Sequence, residues 1–173
     1  MSDTIASSGM ISVPVGSGKF NFRVAGVWLH EGHVLLQGDP SGEFWCLPGG
    51  RVELMEPAEV ALRRELREEL ALSDETRVER LLWIMQNFFE APEWGGALHE
   101  LGLYFLISPT AADSARLADK TREHPCAEPD SPLTFRWFAL ADLPARRPIL
   151  PALLNTALLD LPATPQLLTH DAR

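Results

Sequence analysis

Residues 57–72 read P-A-E-V-A-L-R-R-E-L-R-E-E-L-A-L, and the spacing in that run limits what can be built around it. Ala58, Leu62, Leu66 and Leu70 stand four apart, so on a helix they form one apolar stripe. Glu65, Glu68 and Glu69 stand at i, i+3 and i+4 and share a face beside it. A helix divided in this way lays its stripe against a sheet and turns its carboxylates toward a cleft. Pro57 suits the helix start, and Glu56 just before it complements the helix dipole.

Carboxylates this close raise one another's pKa unless something positive sits among them. Hard divalent cations with oxygen ligands, such as Mg²⁺, meet that need. The same charges on an isolated helix would read as a solvated face paired with Arg63, Arg64 and Arg67. What surrounds them favours the metal.

Gly50 is followed after five residues by Glu56, and after seven more by Arg64-Glu65-Leu66-Arg67-Glu68-Glu69. The run resembles the Nudix box, G-x5-E-x7-R-E-U-x-E-E-x-G-U, in which U is a bulky aliphatic residue. Gly50, Glu56, Arg64, Glu65, Leu66, Glu68, Glu69 and Leu72 all fall in register. Ala71 departs from the pattern, standing where the box has its second glycine. Alanine takes the left-handed conformation of a helix end at a cost of roughly 1 kcal/mol. The expectation is therefore a helix that runs on to Ser73 or Asp74 before turning.

The resemblance implies an α/β fold, an α/β/α sandwich with a mixed β-sheet. It also implies a metal-dependent pyrophosphohydrolase that cleaves a nucleoside diphosphate linked to another group X by water attack on phosphorus. Carried over position by position, it makes Glu68 and Glu69 the main ligands of Mg²⁺ (or Mn²⁺), with the Gly50 carbonyl completing the sphere. Glu65 binds metal or acts as the base, a choice between Glu65 and Glu68 that the sequence leaves open. Arg64 orients a carboxylate, and Glu56 holds loop and helix together behind the ligands. Some family members add a carboxylate from outside the box. Glu100 is the first candidate here, ahead of Glu90, Glu93 and Glu128.

Composition bounds the alternatives. A chain of 173 residues, 46% hydrophobic and 23% charged, reads as a single globular domain. A net charge of −9 disfavours stable nucleic-acid binding, which needs a basic face. Cys46 and Cys126 are too few for a disulfide framework or a zinc quartet, and a reducing cytoplasm is the expected compartment. No apolar run is long enough to span a membrane. The expected partner is a small-molecule nucleotide. A homodimer using Trp94 or the N-terminal arm is a further expectation.

Strands are expected over 20–30 and 33–37 about an Glu31-Gly32 turn, then over 44–47, 78–89, 98–107 and 133–139. A short helix is expected over 112–118 and a closing helix over 149–161. The organisation is read as a loose arm over 1–18, with a short strand near 10–14, a domain over 19–162 and a loose tail over 163–173.

Arg23 and Arg51 are candidates for substrate phosphates, since guanidinium pairs with phosphate through two parallel bonds. Phe88 and Phe89 lie in the window past the box that often marks substrate class in the family, and an aromatic there can stack on a base. His99 reads as a hydrogen-bonded structural residue. Two rival readings remain. One is a catalytically inactive, nucleotide-binding regulatory domain, which typically lacks a box carboxylate. The other is an isopentenyl diphosphate isomerase, which needs a cysteine and a further glutamate in the cleft.

Overall fold

The computed structural model describes residues 9–39, 44–92, 96–145 and 149–173. Its strands are β1 (Ser12–Val15), β2 (Gly18–Val27), β3 (Leu29–His30), β4 (His33–Gly38), β5 (Trp45–Cys46), β6 (Arg77–Ala91), β7 (Gly96–Ser108), β8 (His124–Pro125), β9 (Thr134–Ala139) and β10 (Gln166–Ala172). The helices are α1 (Ala58–Leu70), α2 (Ala111–Arg116) and α3 (Leu154–Ala157).

The strands form two sheets. One runs β1-β2-β7-β6-β10, and the other runs β3-β4-β9-β8 with β5 paired to β4. The first is mixed: β2 and β7 are parallel, β6 and β7 antiparallel, and β10 lies parallel to β6. Alternation along the strands divides their apolar residues between two cores. Val24, Leu35, Phe105 and Phe135 meet Ala61, Leu62, Leu66 and Leu70 of α1. Ala25, Val34, Leu36 and Tyr104 face the other way, onto Leu154 and Leu158 in and just after α3. Helices therefore cover both faces, as expected of an α/β/α sandwich with a mixed sheet.

The expected strands and the Glu31-Gly32 turn are present, both turn residues having positive φ. Three expectations need correction. The helix does not run on past Ala71. It ends at Leu70, and Ala71 itself takes the left-handed conformation, φ 49° and ψ 38°. Its N–H donates to the Arg67 carbonyl and that of Leu72 to the Leu66 carbonyl, so two end carbonyls are satisfied despite the missing glycine.

The closing helix is confined to Leu154–Ala157. Pro151 has no N–H to give an earlier turn, and short-range bonds such as Asn155 N–H to the Ala152 carbonyl make a run of turns around it. The tail is not loose either, since residues 166–172 form β10 on the outer edge of β6. This strand is mostly polar and mostly exposed, so no hydrophobic alternation betrays it. Its pairing instead satisfies the backbone groups of an edge. Likewise Ser12–Val15, within the expected arm, pairs with β2 across a turn at Gly16-Ser17. Trp94, the interface candidate, lies outside the described residues.

A clamp fastens α2 to the end of α1. Asp113 Oδ2 accepts the Ser73 N–H at 3.0 Å and the Thr110 hydroxyl at 2.8 Å. Arg116 donates to Asp113 Oδ1 at 3.2 Å and to the carbonyls of Leu70 and Ala71 at 2.9 and 3.1 Å. Burial pushes the Asp113 carboxyl up, but these donors prevail and hold it below its ordinary range.

Ala71→Gly should raise the urea midpoint, by about 0.5–1 kcal/mol of stability; a lower midpoint would contradict the strain assigned to Ala71. Asp113→Ala should cost about 1–3 kcal/mol for the unsatisfied partners. Because the folded pKa is depressed, the Asp113 contribution is present above its unfolded pKa and is lost as pH falls through the folded one. Acid titration of stability should therefore be shallower in the variant, and parallel curves would remove Asp113 from the account.

Candidate active site

The site hangs on β2. Beyond its pairing with β1, the free edge of this strand is taken by residues 48–52. Gly26 N–H donates to the Pro48 carbonyl, Val24 N–H to Gly50, and Val52 N–H to Phe22, at 2.8, 2.9 and 3.0 Å. Arg23 adds bonds to the carbonyls of Leu47 and Gly49 at 3.2 and 3.0 Å. The glycines are required by closeness. At Gly49, with φ 139°, a Cβ would lie 2.2 Å from the Val24 carbonyl oxygen, and at Gly50 it would lie 2.3–2.4 Å from the Glu65 carboxylate. The loop thus presses its backbone directly on the helix carboxylates.

Arg64 organises those carboxylates. Its guanidinium holds Glu56 through two parallel bonds, Nε to Oε1 and Nη2 to Oε2, both 2.9 Å. Nη1 donates to Glu65 Oε1 at 2.8 Å and to Glu68 Oε2 at 3.2 Å, and Nη2 reaches the Arg51 carbonyl at 3.0 Å. Glu56 also accepts the Glu53 N–H at 3.0 Å, so it ties the loop to the helix. The resemblance gave Arg64 a carboxylate to orient; the structure gives it Glu65 and Glu68, with Glu56 as its bidentate partner. Hydrogen bonding to Arg64 holds the Glu56 carboxyl below its usual range.

Glu65 and Glu69 are each 7% exposed, whereas Glu68 lies on the solvent side. Burial raises the Glu65 carboxyl, against the pull of Arg64. Burial likewise lifts Glu69 to about 7; Arg23 opposes the shift, while Glu65 and Glu128 add to it. Glu69 Oε2 is buried with no hydrogen-bond partner. Among the described residues, no three His, Cys, Asp or Glu side chains are grouped as a ready metal centre, and Arg64 engages both Glu65 and Glu68. The donor chemistry nevertheless suits a hard cation: buried carboxylate oxygens, one without a donor, beside the Gly50 carbonyl. That carbonyl already accepts the Val24 N–H, which leaves it one lone pair.

Next to this cluster is a cavity of about 420 Å³ whose lining includes Arg23, Cys46, Asn87, Phe89, Glu100, Tyr104 and His170. Glu100 stands on β7 in register with Asn21 of β2, and both Glu100 and Glu69 act electrostatically on Arg23. Phe89 faces the cavity. Phe88 does not join it, because alternation along β6 turns Phe88 toward His99, with ring centroids 4.5 Å apart. Phe88 and Phe89 therefore cannot flank one ligand on the same face. His99 packs edge-on against Phe20 as well, at 5.4 Å, in keeping with a structural residue. Arg51 has no ion-pair partner among the described residues, whereas Arg23 is engaged with the loop carbonyls. Glu90 also lines the cavity, and Glu93 lies outside the described residues.

Asn87 lies in the same window past the box as Phe88 and Phe89 but was not singled out there, and nothing in the sequence marked Tyr104 or His170. Asn87 and Tyr104 sit within ordinary strand patterns, and His170 reaches the cavity only through the pairing of β10. No helix among the described residues is long and apolar enough to cross a membrane.

Comparison with known proteins places this arrangement. The family profile described as NUDIX domain matches residues 20–155. A NUDIX hydrolase from Nitrosomonas europaea shares 20% identity and the fold, with a TM-score of 0.55 over 87% of this chain and 78% of that one. An ADP-ribose pyrophosphatase from Streptococcus suis shares 14% identity, with a TM-score of 0.50 over 86% of this chain and 98% of that one. A MutT NUDIX hydrolase from Burkholderia pseudomallei is 26% identical, with a TM-score of 0.49 over 77% of this chain and 92% of that one. Among curated proteins, none matches the chain. With the box residues gathered on α1 and its preceding loop, and the profile spanning most of the length, the chain belongs to the NUDIX family of hydrolases.

Proposed function

We propose that the chain is a Mg²⁺-dependent pyrophosphohydrolase that cleaves the phosphoanhydride bond of a nucleoside diphosphate linked to X, with nucleoside triphosphates and nucleotide sugars as the leading substrates. One observation carries the reading. The Arg64-bound glutamates lie against a glycine loop, and beside them Glu69 keeps a buried oxygen without a donor.

Glu69, Glu68 and the Gly50 carbonyl would hold the cation, with Mn²⁺ as a substitute and Glu100 as an added ligand from β7. When bound, a divalent ion neutralises phosphate charge and lowers the pKa of a bound water. The chain's own groups supply the rest. Glu65, buried and raised in proton affinity, accepts the proton of the attacking water as its oxygen bonds to phosphorus and the anhydride P–O bond breaks. Arg64 keeps that carboxylate aimed. Arg51, with no ion-pair partner among the described residues, would meet a phosphate, and Phe89, which lines the cavity, the flat end of the ligand.

A second reading has one observation in its favour. Cys46 and Glu100 line the same cavity, the pair of residue types an isomerase on this scaffold needs. Burial pushes the Cys46 thiol up, away from the reactive thiolate, so hydrolysis is preferred. The inactive, regulatory reading has no such support, since Glu65, Glu68 and Glu69 are all intact.

A release assay over nucleoside triphosphates, nucleotide sugars, ADP-ribose, dinucleoside polyphosphates and isopentenyl diphosphate tests the proposal. Turnover of one nucleotide class should require Mg²⁺ or Mn²⁺ and vanish with chelator. Isomerised isopentenyl diphosphate would establish the second reading instead. Glu69→Gln should cut turnover at least about 100-fold without lowering the melting temperature, because it removes a buried charge of nearly the same shape. Wild-type turnover by that variant at saturating Mg²⁺ would show the ligand set to be wrong.

A further inference from the structure

One row of side chains crossing the first sheet is polar from end to end. Ser12, Asn21, Glu100, Asn87 and His170 stand in register across β1, β2, β7, β6 and β10, and in-register residues share a face. Asn21 and Asn87 are 3% and 7% exposed. At one end the row closes on itself, the Ser12 hydroxyl donating to Asn21 Oδ1 at 2.7 Å. At the other end it stays open.

His170 Nδ1 and Asn87 Oδ1 are 2.7 Å apart. With Nδ1–H as donor, the Asn87 amide is held with its NH₂ turned away from the ring, and the imidazole Nε2 becomes an acceptor. Neither of these two atoms has a partner among the described residues, and both side chains line the cavity. Phe89, two residues along β6 on the same face, lines it too. An amide donor, a ring acceptor and an aromatic surface together suit a flat heteroaromatic ring, which presents hydrogen-bonding groups at its edge and a π-face above. Nearer the carboxylates, Arg23 lines the same cavity while bonding the Gly49 carbonyl at 3.0 Å. One ligand can therefore reach from the glycine loop to this pair.

We propose that Asn87 reads the edge of the substrate's nucleobase, and that His170 is the positioning residue that fixes its amide. His170 stands on a strand beyond residues 20–155, the span matched by the family, so this selectivity element belongs to the chain's own C-terminal segment. The proposal rests on the reading of the chain as a nucleotide pyrophosphohydrolase.

The test compares kcat/KM for nucleoside triphosphates that differ only in the base, in wild-type protein and in Asn87→Ala, His170→Ala, His170→Asn and His170→Leu. Asn87→Ala should lower the ratio between best and worst base at least about tenfold, through KM rather than kcat. His170→Ala should lower it in the same direction. His170→Asn, which puts an amide donor where Nδ1 stands, should restore it; His170→Leu, which only fills the space, should not. His170 is half-buried on an edge strand, so its variants keep the test alive if Asn87→Ala fails to fold. A ratio unchanged within about twofold in the alanine variants, or restored as well by Leu as by Asn, would overturn the proposal. If wild-type protein hydrolyses none of these compounds, calorimetry with nucleoside monophosphates separates the two ideas. Base-dependent affinity lost on His170→Ala would leave base reading standing and remove the hydrolytic reading, whereas affinity indifferent to the base, or no binding, would overturn base reading.

Discussion

The Arg64 guanidinium is the interaction on which the site depends. Glu56, Glu65 and Glu68 would repel one another at the spacing that one helix and its leading loop impose. Arg64 donates to all of them and to the Arg51 carbonyl. Only a planar fork of five donors can do this from one side chain. Lysine, a point charge with three donors, could neutralise the group but not hold Glu56 through two parallel bonds. The pairing is partly buried, where an unpaired charge costs most. Arrangement and stability therefore rest on the same contacts.

That cluster works only because β2 carries both of its halves. One edge of the strand pairs with β7, while the other takes the glycine loop through the alternating bonds of Gly26, Val24 and Phe22. Its buried side chains also divide between the two cores. Val24 faces α1 and Ala25 the opposite layer. The helix carboxylates and the loop backbone are thus placed by one rigid element, and the absence of Cβ atoms at Gly49 and Gly50 lets them meet.

Much of this was legible beforehand. The stripe of Ala58, Leu62, Leu66 and Leu70 implied a helix on a sheet, and all but the half-buried Ala58 are buried in the α1 core. The strands of the long hairpin, β6 and β7, were legible as the long segments 78–89 and 98–107. What escaped reading shares one physical trait: it depends on backbone pairing or on a local strain that side-chain pattern does not encode. Ala71 bears the left-handed turn because two end carbonyls gain donors there. The C-terminal strand forms because the edge of β6 offers unpaired groups, while of residues 166–172 Leu168 alone packs against a core.

The sequence by itself determined the chemistry on offer: which carboxylates share a helix face, where adjacent glycines leave the backbone without a Cβ, and, through the resemblance to the box, which arginine orients a carboxylate. Those properties are local, set by helical period and residue type, so a linear reading suffices. Only the tertiary structure decided which distant residues join them. Glu100, Asn87 and His170 stand side by side through the register of three strands, and Phe88 and Phe89 part because alternation sends neighbours to opposite faces. Register is a relation between segments far apart in the chain, and it is settled by which pairing satisfies the backbone and buries both cores together.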